Sequence, residues 1–254
     1  MLHRFTLKTG FLEYHERLQT FLLLFIDASS YIDTDDERWR YEKYMVNGNP
    51  HYAVAGYSTV YEYYAYPCNM RPRISQMLIL PPFQRIGVGA GLLQTIYQHY
   101  KVNPKVIDIT VEDPSESFQR LRDYVDARNC QELKDISFSD LPELTFEVLE
   151  TVQKDLKLCK RQIRRVYEIL KLQKINRQDE KEYREYRLFV KNRLNAPFRR
   201  EDSDMKKLKK VLSPEELAAA LSITSREQRL ETLENLYKNL EEEYNIVIEK
   251  LNGK

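Results

Sequence analysis

"PPFQRIGVGAGLLQTIYQHY", residues 81–100, places three of the chain's seven glycines, Gly87, Gly89 and Gly91, within five residues at the start of an apolar pattern. Val88, Leu92, Leu93, Ile96, Tyr97 and Tyr100 recur at helical spacing, so a helix beginning at about Gly87 turns one side to a core. A glycine inside a helix costs about 0.5–1 kcal/mol relative to alanine. Three together imply that something comes very close to the backbone. Two readings stand side by side. The unpaired N–H groups and positive dipole end of a helix start bind phosphate, and glycine lets a pyrophosphate reach the main chain. The same glycines also permit close packing of the helix on a strand.

Working outward, SQMLIL (Ser75–Leu80) and KVIDITV (Lys105–Val111) are apolar strands on either side of this helix. Strand, helix, strand predicts a parallel pair with the helix on one face of the sheet. Upstream, Tyr41–Tyr44 and His51–Tyr66 are dense in strand formers, and Asn47-Gly48 between them is a hairpin signal. FLEYHERLQTFLLLFI, from Phe11 to Ile26, predicts a buried helix. Residues 140–254 show helical periodicity and no glycine before Gly253, and Leu230, Leu233, Leu236, Leu240, Tyr244, Val247 and Leu251 mark one face of a last helix. The expected fold is α+β, a mixed sheet flanked by helices over residues 1–135, followed by an all-helical domain over residues 136–254.

The 254 residues suffice for a sizeable core. The most apolar run, Phe21–Ile26, is far shorter than the ~18 residues of a membrane span, and the start lacks the pattern of a secretory signal, so an intracellular protein is expected. Cys68, Cys130 and Cys159 are scattered and predict core thiols rather than disulfides, zinc ligands or nucleophiles; no metal is expected. The net charge of +1 conceals an asymmetry: 16 basic against 22 acidic residues over 1–156, 19 against 8 over 157–210, and 5 against 9 over 211–254. The acidic first part should repel nucleic acid and attract something basic.

Which phosphate ligand would the glycines serve? A Walker loop is excluded because no lysine followed by Ser or Thr comes after them. A dinucleotide turn fails because Leu92 stands where the third glycine of G-x-G-x-x-G belongs and six residues separate the strand from Gly87. Gln84-Arg85-Ile86-Gly87-Val88-Gly89 instead is similar to the R/Q-x-x-G-x-G/A signature of the GCN5-related N-acetyltransferases. YHERLQTFLLLFI, IDTDDERW, VYEYYAYP, RPRISQMLIL, DITVEDPS and RRVYEIL, in order across roughly residues 11–200, resemble blocks of the type B histone acetyltransferase catalytic subunit.

That resemblance implies acetyl-coenzyme A as cosubstrate. Met77, Leu78 and Ile79 would offer main-chain groups to its acetyl and pantetheine portion, and Gln84, Arg85, Ile86, Gly87, Val88, Gly89 and Ala90 would wrap its pyrophosphate. Ser117 and Tyr124 would lie near the cofactor, Tyr61, Glu62 and Tyr63 would receive the lysine substrate, and the catalytic carboxylates would fall on Asp27, Glu112 and Asp113. The family has glutamate where this chain has Asp27. The implied partners are a core-histone tail and a WD-repeat histone chaperone, with no direct nucleic acid and no membrane. The implied location is cytoplasmic and nuclear. The resemblance does not reach the family's further amino-terminal domain, which helps to hold the tail and its chaperone.

Elementary chemistry gives the carboxylates a task. A lysine ammonium, with reference pKa about 10.4, must lose a proton before it attacks a thioester. Glu112 sits just past KVIDITV, where ligands of parallel sheets gather, and is the first candidate for the general base. Asp113 has a second reading, since Asp-Pro-Ser-Glu (113–116) has the form of a helix capping box. Tyr61, Tyr63, Tyr64 and Tyr66 read either as substrate contacts or, for half of them, as core packing. The segment Asp33, Asp35, Asp36, Glu37 either attracts a basic tail or is a solvated loop. A rival of another class is an interaction module with a degraded acetyltransferase core, whose basic helices over 157–210 contact nucleic acid or an acidic chaperone.

Overall fold

The computed structural model describes residues 2–4, 9–26, 29–33, 35–36, 38–48, 51–134, 136–138, 141–208 and 226–253. They form two compact units that divide between Tyr167 and Glu168.

The first unit is built on five strands in chain order: β1 (Leu2–Arg4), β2 (Trp39–Gly48), β3 (His51–Ala65), β4 (Asn69–Ile79) and β5 (Thr110–Val111). β1 to β4 are an antiparallel meander, and β5 pairs parallel with β4 after the crossover through α2 (Val88–Lys101). The expected order of strand, helix and parallel strand is found, but of the strand expected over Lys105–Val111 only Thr110–Val111 forms one, with Val106 and Ile109 making isolated bridges. The expected turn at Asn47-Gly48 is not, because the β2–β3 ladder runs on to Gly48↔His51 and makes Asn47 and Gly48 strand residues. Cross-strand pairing here overrides a local turn preference.

The helix α1 (Thr9–Phe25) covers one face of the sheet, where Leu18 and Leu22 join Tyr57 of β3 and Leu78 of β4 in a buried cluster. Only that stripe of α1 is covered: Phe21, Leu23, Leu24 and Phe25 are exposed, contrary to a helix buried all round. α2 lies against the opposite face with Leu92, Leu93 and Ile96 fully buried. Between Thr59↔Gln76 and Val60↔Ile74 the β3–β4 register slips, leaving Ser75 as an extra residue on β4. Such a bulge reverses the alternation of side chains. Arg73 therefore shares the α1 face with Tyr61 and Tyr63, as do Gln76 and Leu78 beyond the bulge, while Met77 and Ile79 turn to the α2 face.

α3 (Glu116–Gln131), α4 (Phe146–Leu156) and the start of α5 (Lys160–Lys174) complete this unit. It extends past the 135/136 boundary expected from sequence because α3 and α5 share a buried polar network. The Asp123 carboxylate accepts hydrogen bonds from Gln119 (2.7 Å), Gln162 (2.9 Å) and Arg165 (2.6 Å). A carboxylate taken out of water needs such partners, and those from α5 keep it with the first unit.

The second unit comprises the end of α5, α6 (Glu180–Leu194), α7 (Ala196–Leu208) and α8 (Arg226–Leu251). The buried Glu168 carboxylate accepts from Arg193 at 2.6 and 2.7 Å and from the Tyr244 hydroxyl at 2.8 Å. On α8 the buried residues are Leu233, Tyr237, Tyr244, Val247 and Ile248, whereas Leu230 and Leu236 of the expected face are exposed. Tyrosines fill much of the apolar stripe while their hydroxyls bond acidic side chains. Of the three cysteines, Cys130 is buried, Cys159 is half-buried and Cys68 is exposed, so only one is a core thiol. Among the described residues no helix is long and apolar enough to cross a membrane.

Candidate active site

The site begins where β5 stops. β5 accompanies β4 only as far as Ile74↔Val111, after which Glu112 N donates to Ile74 O at 3.0 Å. From Ser75 onward that edge of β4 has no strand neighbour among the described residues. Leu80 N donates to Ala55 O (2.9 Å) on the β3 side, while Ile79 O accepts from Gln84 Nε2 (2.8 Å) on the other. By strand alternation the main-chain groups of Met77 and Ile79 face the open edge, and those of Leu78 face β3. The expected trio thus divides: Met77 and Ile79 present backbone, and Leu78 anchors the strand beneath α1.

The loop follows at once. Pro81–Phe83 forms one 3-10 turn, closed by Gln84 N donating to Pro81 O. Arg85 and Gly87 take left-handed conformations, with φ of 60° and 88°. Gly87 is the N-cap of α2 and supplies no side-chain cap. A Cβ there would meet nothing within 4 Å, so glycine is required by conformation, not by space. At Gly89 the reason is space: a Cβ would lie 3.2 Å from Leu121, 3.5 Å from Ile79 and 3.8 Å from Met77. Close packing therefore explains Gly89. The N–H groups of Val88, Gly89 and Ala90 have no acceptor within the helix, and its first turn carries no acidic residue, an arrangement suited to an anion. Gly87 and Ala90 also line a cavity of about 370 Å³ with Tyr124 and Arg128 of α3, whose guanidinium lies 5.8 Å from the Tyr124 ring. Ser117 is exposed in the first turn of α3, 3.1 Å from the Ser115 hydroxyl.

Glu112 leaves β5 at the open edge, exposed, with Oε2 accepting from Ser75 Oγ at 2.8 Å. Asp113 occupies a left-handed turn with φ 30°. It is not the helix cap: α3 starts at Glu116, and Ser115 accepts from Phe118 N at 3.3 Å as N-cap. The turn at Asp113 delays the helix by two residues beyond the position that its capping-box pattern suggests. Asp27 lies outside the described residues.

The tyrosine strand is divided by its pleat. Tyr61 and Tyr63 pack edge to face on the α1 face with ring centroids 4.5 Å apart, next to Trp39 (4.9 Å from Tyr61), Arg38 (4.9 Å from Tyr61) and Arg73 (4.7 Å from Tyr63). Desolvation and a hydrogen bond to Asp36 (3.1 Å) raise the pKa of the Tyr61 hydroxyl. Hydrogen bonds from Arg38 hold the Asp36 carboxyl well below the usual range, so this member of the acidic segment is already ion-paired. Glu62 points to the opposite face, where it pairs with Arg40 (3.1 Å) and accepts from the Tyr100 hydroxyl (3.0 Å). The structure does not bring Glu62 together with Tyr61 and Tyr63. Nor is half of this tyrosine group core: Tyr61 is half-buried and Tyr63, Tyr64 and Tyr66 are exposed, because the end of the β3–β4 hairpin stands in solvent. Ser75 was invisible to sequence reasoning, since nothing in RISQM announces a bulge.

The mixed sheet and the glycine at the start of α2 agree with the fold implied by the resemblance to the GCN5-related N-acetyltransferases. The model of "Histone acetyltransferase type B catalytic subunit, C-terminal" matches residues 122–172. Curated proteins named histone acetyltransferase type B catalytic subunit align over nearly the whole chain. The Homo sapiens protein is 48% identical over 248 residues (95% of this chain, 59% of that protein), the Mus musculus protein 47% over 247 (95% and 59%), and the Schizosaccharomyces pombe protein 33% over 244 (94% and 60%). The chain belongs to this family, and it spans about 59% of the length of the curated relatives it matches. Among solved structures, an aminoglycoside acetyltransferase from an uncultured soil metagenomic sample is 13% identical, with TM-score 0.37, over 57% of this chain and 94% of its own.

Proposed function

We propose that this chain carries the catalytic core of a histone acetyltransferase, transferring acetyl from acetyl-coenzyme A directly to a lysine amine on the tail of a free core histone. The observation that carries the reading is the presence together, in a member of this family, of the open β4 edge, a start of α2 without a side-chain cap, and the Glu112 carboxylate. The N–H groups of Val88, Gly89 and Ala90 would hold the cofactor's pyrophosphate, with Arg85 beside them. A main-chain N–H on the Met77–Ile79 edge would stabilise the oxyanion that develops as the thioester carbonyl is attacked. Glu112 accepts one proton from the ammonium, the free amine attacks the carbonyl carbon, and as the C–S bond breaks the second nitrogen proton passes to the departing sulfur, so that coenzyme A leaves as the thiol. Cys130 is buried with its thiol pKa raised by desolvation, and so is unsuited to a covalent intermediate.

Tyr61 and Tyr63, with their flanking arginines, form the surface that receives the tail backbone, while Glu62 serves the fold. Free histones place the reaction in cytoplasm and nucleus, and a WD-repeat chaperone would present them. Radiolabelled acetyl-coenzyme A incubated with core histones tests the reading. Incorporation into histone that scales with protein concentration is expected; cofactor binding by calorimetry without incorporation overturns it in favour of an interaction module.

A further inference from the structure

We propose that Ser75 is a positioning residue for the general base, and that the β4 bulge exists as much for this purpose as for the open edge. The inference rests on the reading of Glu112 as base. Glu112 is exposed just past a strand of two residues, and a glutamate side chain has three rotatable bonds whose freedom must be restrained if the carboxylate is to be held in one place. Its backbone is secured by Glu112 N to Ile74 O (3.0 Å), and its carboxylate by Ser75 Oγ to Oε2 (2.8 Å). Both anchors come from consecutive residues at the bulge. Without the extra residue the ladder would continue from Ile74 in strict alternation, and the β4 backbone would not change face at this point.

The chemistry supports a holding role. Ser75 Oγ donates to one carboxylate oxygen and leaves Oε1 available to the lysine amine. A base must lie within about 2.6–3.2 Å of the proton that it takes, and misplacement by about 1 Å can cost 100-fold in rate. Fixing Oε2 against the same strand whose Met77 and Ile79 main chain faces the cofactor ties base and thioester to one rigid element. The serine touches neither substrate nor cofactor in this scheme and acts only through Glu112.

The test uses the full chain, acetyl-coenzyme A and a core-histone tail peptide. Ser75→Ala is expected to lower kcat by roughly tenfold or more while KM for acetyl-coenzyme A stays within about twofold. Ser75→Thr, which keeps the hydroxyl, should restore most of the rate. In a Glu112→Gln background, Ser75→Ala should cost nothing further, because the group that it positions no longer acts. Parental kcat in Ser75→Ala, alongside an impaired Glu112→Gln, overturns the positioning role and leaves the base assignment standing. An equal loss from Ser75→Ala in both backgrounds also overturns it and makes the serine a structural part of the bulge. A fully active Glu112→Gln removes the base itself, and the proposal with it.

Discussion

The two compact units both enclose a buried carboxylate, but they differ in what they leave open. In the second, acidic side chains on α5 and α8 are matched to partners: Glu168 is enclosed by Arg193 and Tyr244, and Glu241 accepts from Tyr183 and Tyr237. The first unit does the same beneath its surface, at Asp123, but along the end of β4 it leaves main-chain groups and the first turn of α2 without protein partners of the usual kind. A closed network adds stability and has nothing left to offer a ligand. An open edge costs stability and offers directed donors. Function is expected where the hydrogen bonding of the fold is incomplete.

The largest effect that would break this contrast is at Glu112. Glu112→Gln keeps size and hydrogen bonding but cannot accept a proton, so kcat should fall by roughly 100-fold or more with little change in cofactor affinity. The deficit should shrink between about pH 6.5 and 9.5 as more of the lysine is free amine. A pH-independent deficit, or none, would remove the carboxylate from the chemistry. Glu168→Ala probes the closed network. Loss of the buried carboxylate removes the hydrogen bonds that Arg193 and Tyr244 make to it, and about 3 kcal/mol of stability should go with them, read from denaturant unfolding. Affinity for acetyl-coenzyme A, measured by calorimetry on the folded variant, should not change.

Gly87→Ala lies between the two. It forces a Cβ into the left-handed cap of α2, at a cost of about 1–2 kcal/mol. Because the cap aims the free N–H groups, cofactor affinity should weaken as well; equal affinity in a destabilised variant would mean that the loop does not hold the phosphates. The smallest effect concerns Asp126, which is fully buried with Arg122 Nε 3.4 Å from its Oδ2. Burial raises its pKa to about 7, against the opposing pull of Arg122. Between about pH 4 and 7 the folded protein keeps this proton while the unfolded chain has lost it, so stability falls as pH rises through that window. Melting temperatures of the parent should decline across it relative to Asp126→Asn, which has no such proton. Parallel curves would show that the carboxyl titrates normally.

Much of the fold was legible because it depends on local periodicity. Helical spacing after Gly87 and apolar runs at Ser75–Leu80 and Lys105–Val111 predict the crossover, and the glycine cluster marks the start of α2. The candidate site was marked in the sequence by the Gln84–Gly89 signature and the EDP stretch, through the resemblance that they carry. What failed was everything set by register. Asn47-Gly48 looks like a turn and pairs as strand; Tyr61, Glu62 and Tyr63 are contiguous in sequence yet stand on two faces; Asp113 has the neighbours of a helix cap, while Ser115 makes the bond.

Sequence alone determined the α+β class, the helical second half, the position of the glycine-capped helix and the resemblance that places the chain in its family. These follow from side-chain periodicity and short motifs, which act over a few residues. Only the tertiary structure decided that Ser75 bulges, that Met77 and Ile79 rather than Leu78 present their backbone to the open edge, and that the first unit extends to Tyr167. Each of these depends on pairing between residues far apart in the chain. One extra residue in a ladder reverses every face after it, and one buried carboxylate at Asp123 draws a distant helix into its core.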